Sequence, residues 1–457
     1  MRAHLARLLV PLALALPAAG RAAPLALDDA LALAARANAD LLAARADVRS
    51  AQADRDAATA TLLPRLDLTA AYGHVWSGAS APQPVTFPDL THPGETITQS
   101  VSQPASDARA ASAGVQLSQP LVDLGKLRTR DQAGEARRAV ERQYDELTLT
   151  VAFAVTQRFY ELVKQDRALV VLQKTAQRSQ ELVDRADALY AAGKTPKSET
   201  YAARVNLQND LINAEAQQVR VAQARTALAQ ALGLGEAEAL SLAVTAPPAL
   251  DAAELPTGEP PPLEALLARA RERRPALDAD AARIAAARAG VGVSKARYLP
   301  SLSLEGTYTR NSDSLSGKYG VLGSPGNAYD AAARVVLSWN LFEGMGTRAA
   351  VQRAEAQAAH AEATAQGTRA TVQAEVQNAR AAVASLARQL SLAAENQRLA
   401  RAALQLATER FAAGLASQLE ERDASLKLSQ AELTFLEVRI DHTVAVADLS
   451  RAVGGAL

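Results

Sequence analysis

Four carboxylates crowd the starts of two polar, alanine-rich stretches: Glu199 in one, and Glu420, Glu421 and Asp423 in the other. Each group follows a glycine turn, Ala191-Ala192-Gly193-Lys194-Thr195-Pro196 in the first case and Ala412-Ala413-Gly414 in the second. Acidic residues in the first turn of a helix face the positive end of its dipole, so one reading is a solvated helix face. The other reading needs rotational symmetry. Repeated around an axis, one carboxylate becomes a ring that attracts cations and raises its own pKa by like-charge repulsion. No reactive centre is spelled out elsewhere. Histidines occur only as His4, His74, His92, His360 and His442, without ligand-like spacing, and cysteine is absent. Thiolate sites and disulfides are therefore excluded, and no metal site is expected. No Gly-rich phosphate loop follows a buried strand, and there is no nucleophile elbow. The sequence predicts no enzyme, no catalytic residue and no cofactor.

The stretches that carry these turns are long helices. Lys126 to Ala192 reads as one helix of 67 residues, about 100 Å at ~1.5 Å per residue. A compact domain has no use for such a length. Leu147, Val151, Val155, Phe159, Leu162, Leu169 and Leu172 step by three, four or seven, a narrow coiled-coil seam that must bury itself against other helices. After the turn, residues 196–232 read as a second helix folding back on the first. Gly193 and Gly414 suit the left-handed conformation that ends a helix. Thr195 is the expected cap of the returning helix, with Pro196 in its first position. Ser417 and Glu420 have capping-box spacing.

Half of the 457 residues are apolar but only 4% are aromatic, so alanine and leucine dominate, as close-packed long helices require. The 49 basic and 49 acidic residues balance without a block of either sign, and no nucleic acid partner is expected. Residues 1–23 read as a secretory signal: Arg2 and Arg7, an apolar run from Leu8 to Leu16, then small residues. No cysteine follows to carry a lipid, and no later run is apolar and long enough for a transmembrane helix.

From Asp28, a plausible N-cap, helical periodicity runs to about Leu62 and stops at Pro64. The period then changes to two, predicting strands at about 65–76 and 112–122 around a Pro-rich loop. The first repeat spans 24–232, and a Pro-rich linker spans 233–262. From Leu263 the pattern restarts. Leu27, Leu41 and Leu63 recur 236 positions later as Leu263, Leu277 and Leu299. Ala191-Ala192-Gly193 recurs 221 positions later as Ala412-Ala413-Gly414, so the loop between strands is shorter in the second copy. That copy, 263–457, contains a half-length helix, strands at about 300–310 and 333–342, a long helix over 347–413 and a return helix over 418–453. The predicted object is a rod with a small sheet at one end and two glycine turns at the other.

Each strand has one apolar face and the length of a membrane strand. Trp76 and Trp339 stand at strand ends with Tyr72, Tyr308 and Phe342, where an aromatic girdle belongs. A soluble sandwich is the alternative, but no further apolar segment is available to cover the sheet. Four strands cannot close a barrel, and lipid tolerates no open edge, so the chain must associate with copies of itself.

Several local patterns occur twice, in order. Leu63-Pro64 and Leu299-Pro300 lead into strands; Gln119-Pro120-Leu121-Val122-Asp123 and Asn340-Leu341-Phe342-Glu343-Gly344 follow them. Tyr190-Ala191-Ala192-Gly193 and Phe411-Ala412-Ala413-Gly414 form the turns, and Leu449-Ser450-Arg451-Ala452-Val453-Gly454-Gly455 closes the chain. On these patterns the sequence resembles the TolC-type outer-membrane efflux proteins along its mature length. The resemblance implies a mainly α fold with a small transmembrane β part. It implies a homotrimer with a 12-stranded barrel in outer-membrane lipid, continued by a helical tunnel into the periplasm. It further implies an exit duct for an inner-membrane transporter of RND, ABC or MFS type, joined through a periplasmic adaptor. On that resemblance Glu199, Glu420 and Asp423 are aperture candidates. Leu189, Gly193, Thr195, Gly414, Leu415 and Ser417 are adaptor-docking candidates. The family's aromatic hydroxyl and basic residue at the second turn are replaced by Phe411 and Ala416, while the first turn carries Lys194 and Lys197. The rival from another class is a soluble periplasmic coiled-coil adaptor or scaffold.

Overall fold

A computed structural model describes residues 24–235, 238–239, 242–247, 250, 259–315, 320–322 and 329–455. The signal segment 1–23 and parts of the 233–262 linker lie outside them. The chain divides into two compact units. One comprises Met1–Val48, Val140–Asp280 and Thr364–Leu457; the other comprises Arg49–Ala139 and Ala281–Ala363.

In chain order the elements are α1 (Leu27–Ala37), α2 (Ala39–Ala60), β1 (Arg65–Ser77), β2 (Gln83–Pro88), β3 (Thr96–Val101), β4 (Ser106–Val122), α3 (Leu124–Ala191) and α4 (Lys197–Leu232). The second copy gives α5 (Leu263–Arg273), α6 (Pro275–Ala296), β5 (Ser301–Ser312), β6 (Tyr329–Ser338), α7 (Gly346–Ala412) and α8 (Gln418–Ala452). The two long helices, α3 and α7, contain 68 and 67 residues. None of the described helices is long and apolar enough to cross a membrane.

The helical unit has two cores built alike. Val151, Val155, Phe159 and Leu162 of α3 pack with Ala30, Ala34, Leu228 and Leu232. Val372, Val376 and Val383 of α7 pack with Leu266, Ala270, Leu449 and Val453. Val155, Leu228 and Leu232 map onto Val376, Leu449 and Val453 at the repeat offset of 221, and Ala30 and Ala34 map onto Leu266 and Ala270 at 236. The two cores thus use corresponding positions of the two sequence copies.

Several sequence expectations need correction. The continuous half-length helices are each broken once, at Asn38 and at Arg274, where the backbone turns extended with ψ of 128° and 113°. Asn38 then caps α2, its Oδ1 accepting from the backbone N–H of Asp40 and Leu41. Arg274 precedes Pro275, which disfavours helical backbone at that residue. Each break faces the last turn of a returning helix. The Asn38 amide donates to the Ala231 carbonyl at 2.9 Å, and the Arg274 guanidinium donates to the Arg451 carbonyl at 2.8 Å. Gly233 and Gly454, both at positive φ, lie so close that an added Cβ would collide with the carbonyls of Ala37 and Arg273. The N-cap of α1 is Ala26 rather than Asp28, which sits in the first turn.

In the strand unit the order is β1-β4-β5-β6, all antiparallel, with β1 and β6 at the edges. Residues read as a Pro-rich loop form a second, two-stranded sheet, β2 with β3. Its alternating Val85, Phe87 and Ile97 were hidden among prolines that terminate or edge the strands. The strand expected at 112–122 starts earlier, at Ser106, and that expected at 333–342 occupies Tyr329–Ser338.

Candidate functional site

Both helical turns close in the same way. Lys194 N–H donates to the Leu189 carbonyl (3.0 Å) and Gly193 N–H to Tyr190 (2.9 Å); Leu415 N–H donates to Arg410 (2.8 Å) and Gly414 N–H to Phe411 (3.0 Å). Paired bonds of this type define a Schellman stop, with Gly193 at φ 70° and Gly414 at φ 75°. A Cβ at either glycine would meet open space, so the left-handed backbone alone demands glycine.

The returning helices start differently. Ser417 Oγ accepts from the Glu420 N–H at 3.2 Å, but the Glu420 carboxylate turns to Arg410 (2.8 Å), so the return half of the capping box is not made. Thr195 is not the cap of α4. Pro196 occupies that position, and without a side-chain acceptor there the Thr195 hydroxyl is buried and unbonded.

The expected aperture set separates. Glu420 and Asp423 are exposed, and each carries a cation: Arg410 at 2.8 Å and Lys427 at 2.7 Å. Glu199 instead lines a cleft of about 150 Å³ with Leu182, Ala203, Asn206, Ser417 and Leu419. Among the docking candidates Leu189 is half-buried, whereas Leu415 is 71% exposed.

Behind these turns lies a polar network that sequence reading missed. Arg422 of α8 donates to Ser179 of α3 (2.7 Å) and Asp210 of α4 (2.9 Å), and Ser179 Oγ donates to Asp210 at 2.5 Å. Nearer the chain reversal, Arg185 pairs with Glu421 at 3.1 Å, and Thr408 of α7 donates to the same carboxylate. Thr175 and Ser429 share a hydrogen bond of 2.6 Å. Asp210, Glu421, Arg422 and Ser179 are all buried. These ties join all four helices next to the turns. A signal did exist, because the buried row of α4 (Thr200, Ala203, Leu207, Asp210, Ala214, Gln217, Val221) runs in steps of three and four and includes Asp210.

The sheet separates polar from apolar side chains. Leu66, Leu68 and Tyr72 share a face with Val115, Tyr308, Val335 and Leu337 through the strand register, and all of these are exposed. The opposite face carries Asp67, Thr69, Gln116, Glu305, Thr307 and Arg334, with Arg334 bridging Glu305 at 2.8 Å. Of the girdle candidates, Tyr72, Trp76 and Tyr308 lie in strands, and Tyr308 stacks at 5.8 Å on Tyr329, an aromatic outside that set. Trp339 and Phe342 lie just past β6, where the Trp339 indole N–H donates to the Tyr298 carbonyl. Although the spacing of histidines suggested no ligand set, the β2–β3 turn brings donor atoms of Asp89, His92 and Glu95 within 4.8 Å of one another.

Comparison with known proteins agrees with this arrangement. Residues 30–234 and 266–455, one span in each repeat, match the family described as outer membrane efflux protein. Outer membrane protein OprJ of Pseudomonas aeruginosa is 30% identical over 184 residues, which span 40% of this chain and 37% of that protein. The Campylobacter jejuni CmeC outer membrane channel superposes with a TM-score of 0.77 at 20% identity, covering 94% of this chain and 86% of that one. The open state of the Neisseria gonorrhoeae MtrE outer membrane channel gives 0.75 at 19% identity, covering 94% and 89%. Matched along both repeats, the chain belongs to the outer membrane efflux protein family, a family of channels and not of enzymes.

Proposed function

We propose that the chain is the outer-membrane exit duct of a tripartite efflux or secretion machine, a passive channel closed at its glycine turns. The observation that carries this reading is the open four-stranded sheet. One face is apolar and exposed, and the edge strands β1 and β6 have no partner among the described residues. Lipid admits neither a free edge nor a lone sheet, so β6 of one copy pairs with β1 of the next until the ring closes. Three copies give twelve strands, enough to leave a passage, where two would leave a filled interior.

The helices support the same closure. Val205, Ile212 and Val219 of α4 recur every seven residues and are 59%, 64% and 58% exposed; Leu392, Leu399 and Leu406 of α7 repeat likewise at 71%, 52% and 57%. Rows of this kind are seams awaiting a helix, and neighbouring copies supply it. The turns with Leu189, Gly193, Thr195, Gly414, Leu415 and Ser417 are the docking surface for a periplasmic adaptor. The adaptor links the duct to an inner-membrane transporter of RND, ABC or MFS type. Glu420 and Asp423 ring the aperture, and Glu199 belongs with the docking cleft.

A soluble coiled-coil scaffold accounts for the helices but leaves the exposed sheet face without a solvent. Planar-bilayer recording of the purified full chain tests the proposal. Discrete cation-preferring channels are expected, and a protein that never inserts contradicts it.

A further inference from the structure

The β2–β3 hairpin ends in a short, closed turn. The pairing runs from Gln83↔Val101 to Pro88↔Thr96, leaving Asp89–Glu95 as the turn. Asp89 N–H donates to the Glu95 carbonyl (2.8 Å) and Glu95 N–H to the His92 carbonyl (3.1 Å), so the three side chains start from a closed backbone. Pro93 fixes its own φ, and Gly94 adopts a φ of 106° that other residues rarely take.

The side chains converge. Asp89, whose carboxylate is only 13% exposed, accepts from Thr91 N–H (2.7 Å) and Thr91 Oγ1 (2.6 Å) on one oxygen. Its other oxygen faces His92 Nδ1 at 3.2 Å. The Glu95 carboxylate completes a set of three donor atoms mutually within 4.8 Å and has no hydrogen-bond or ion-pair partner among the described residues.

We propose that Asp89, His92 and Glu95 bind a first-row divalent cation of the Zn²⁺ class. Bonds of about 2.0–2.2 Å from imidazole and carboxylate to a tetrahedral Zn²⁺ place two donors about 3.3–3.6 Å apart. Asp89 and His92 already stand at about that separation, 3.2 Å, so a bound ion has to draw in mainly Glu95, by up to about 1.5 Å. The mixed nitrogen and oxygen set selects against Ca²⁺, which takes six to eight oxygen ligands. Thr91 acts behind the ligands, its N–H and hydroxyl both donating to Asp89. The ion would tie the hairpin tip together.

The test is calorimetric titration of ZnCl₂ into the full chain in detergent, with His92→Ala and Glu95→Ala beside it and His74→Ala as control. His74 is paired with Asp107 at 3.1 Å and lies outside the turn. One Zn²⁺ per chain is expected, weakened about tenfold or more in His92→Ala and Glu95→Ala and unchanged in His74→Ala. Circular dichroism confirms that each variant is folded. Absence of Zn²⁺ heat in the unmodified chain, or equal affinity in His92→Ala, overturns the proposal. Equal binding of CaCl₂ overturns the assignment of an imidazole donor.

Discussion

Arg422 and Asp210 meet at 2.7 Å inside the helical unit, one on α8 and one on α4, with side chains 9% and 6% exposed. Ser179 of α3 bonds to both. Breaking a buried pair from one side strands a charge, at a cost of about 3–5 kcal/mol. Asp210→Ala should therefore loosen the helices beside the turns and raise single-channel conductance or open probability. A conductance equal to that of the unmodified protein would show that the pair does not restrain the closed end.

Four glycines with positive φ should respond in two classes. Gly193→Ala and Gly414→Ala place a methyl in open space and cost only the left-handed penalty, about 1–2 kcal/mol each. Gly454→Ala puts its Cβ 2.6 Å from the Arg273 carbonyl oxygen, and Gly233→Ala collides with Ala37, so these must displace backbone. Thermal melts should show small losses for the first pair and failure to assemble for the second. Equal losses would contradict the close approach.

Asp423 and Lys427 form an exposed pair at 2.7 Å. If Asp423 lines the aperture, Asp423→Ala lowers cation-over-anion permeability and Lys427→Ala raises it. Reversal potentials in a salt gradient read both. Identical reversal potentials for the three proteins would remove Asp423 from the pore.

His442 is 5% exposed, and burial lowers its pKa from the ordinary imidazole value. Between the lowered folded pKa and the usual value near 6.5, the unfolded chain binds the proton and the folded one does not. Stability is thus unaffected above that window and falls as pH drops through it. Melting midpoints from pH 7.5 downward should decline more for the unmodified protein than for His442→Gln. Parallel declines would show that another group sets the acid sensitivity.

Long-range order was legible because it is written in periods. The seam of Val151, Val155, Phe159 and Leu162, the strand alternation beginning at Leu66 and the repeat of Gly193 as Gly414 each need only counting. What escaped depends on partners distant in sequence. Asn38 ends a helix because a returning helix presents the Ala231 carbonyl there, and Arg274 does the same against Arg451. Glu420 leaves its capping role because Arg410 is within reach across the turn. Asp210 and Arg422 are 212 positions apart, and neither betrays the other locally, though the α4 periodicity put Asp210 indoors. The β2–β3 hairpin was obscured by Pro84 and Pro88, which signal turns unless the strand is seen to lie at an edge.

On the proposed function, β1 and β6 close a barrel only between copies of the chain. The most direct measurement is the native mass of protein extracted from outer membranes without heating. Three chains per particle, dissociating to one on boiling, is the expected result. A single chain, or recovery in the soluble periplasmic fraction, would contradict it.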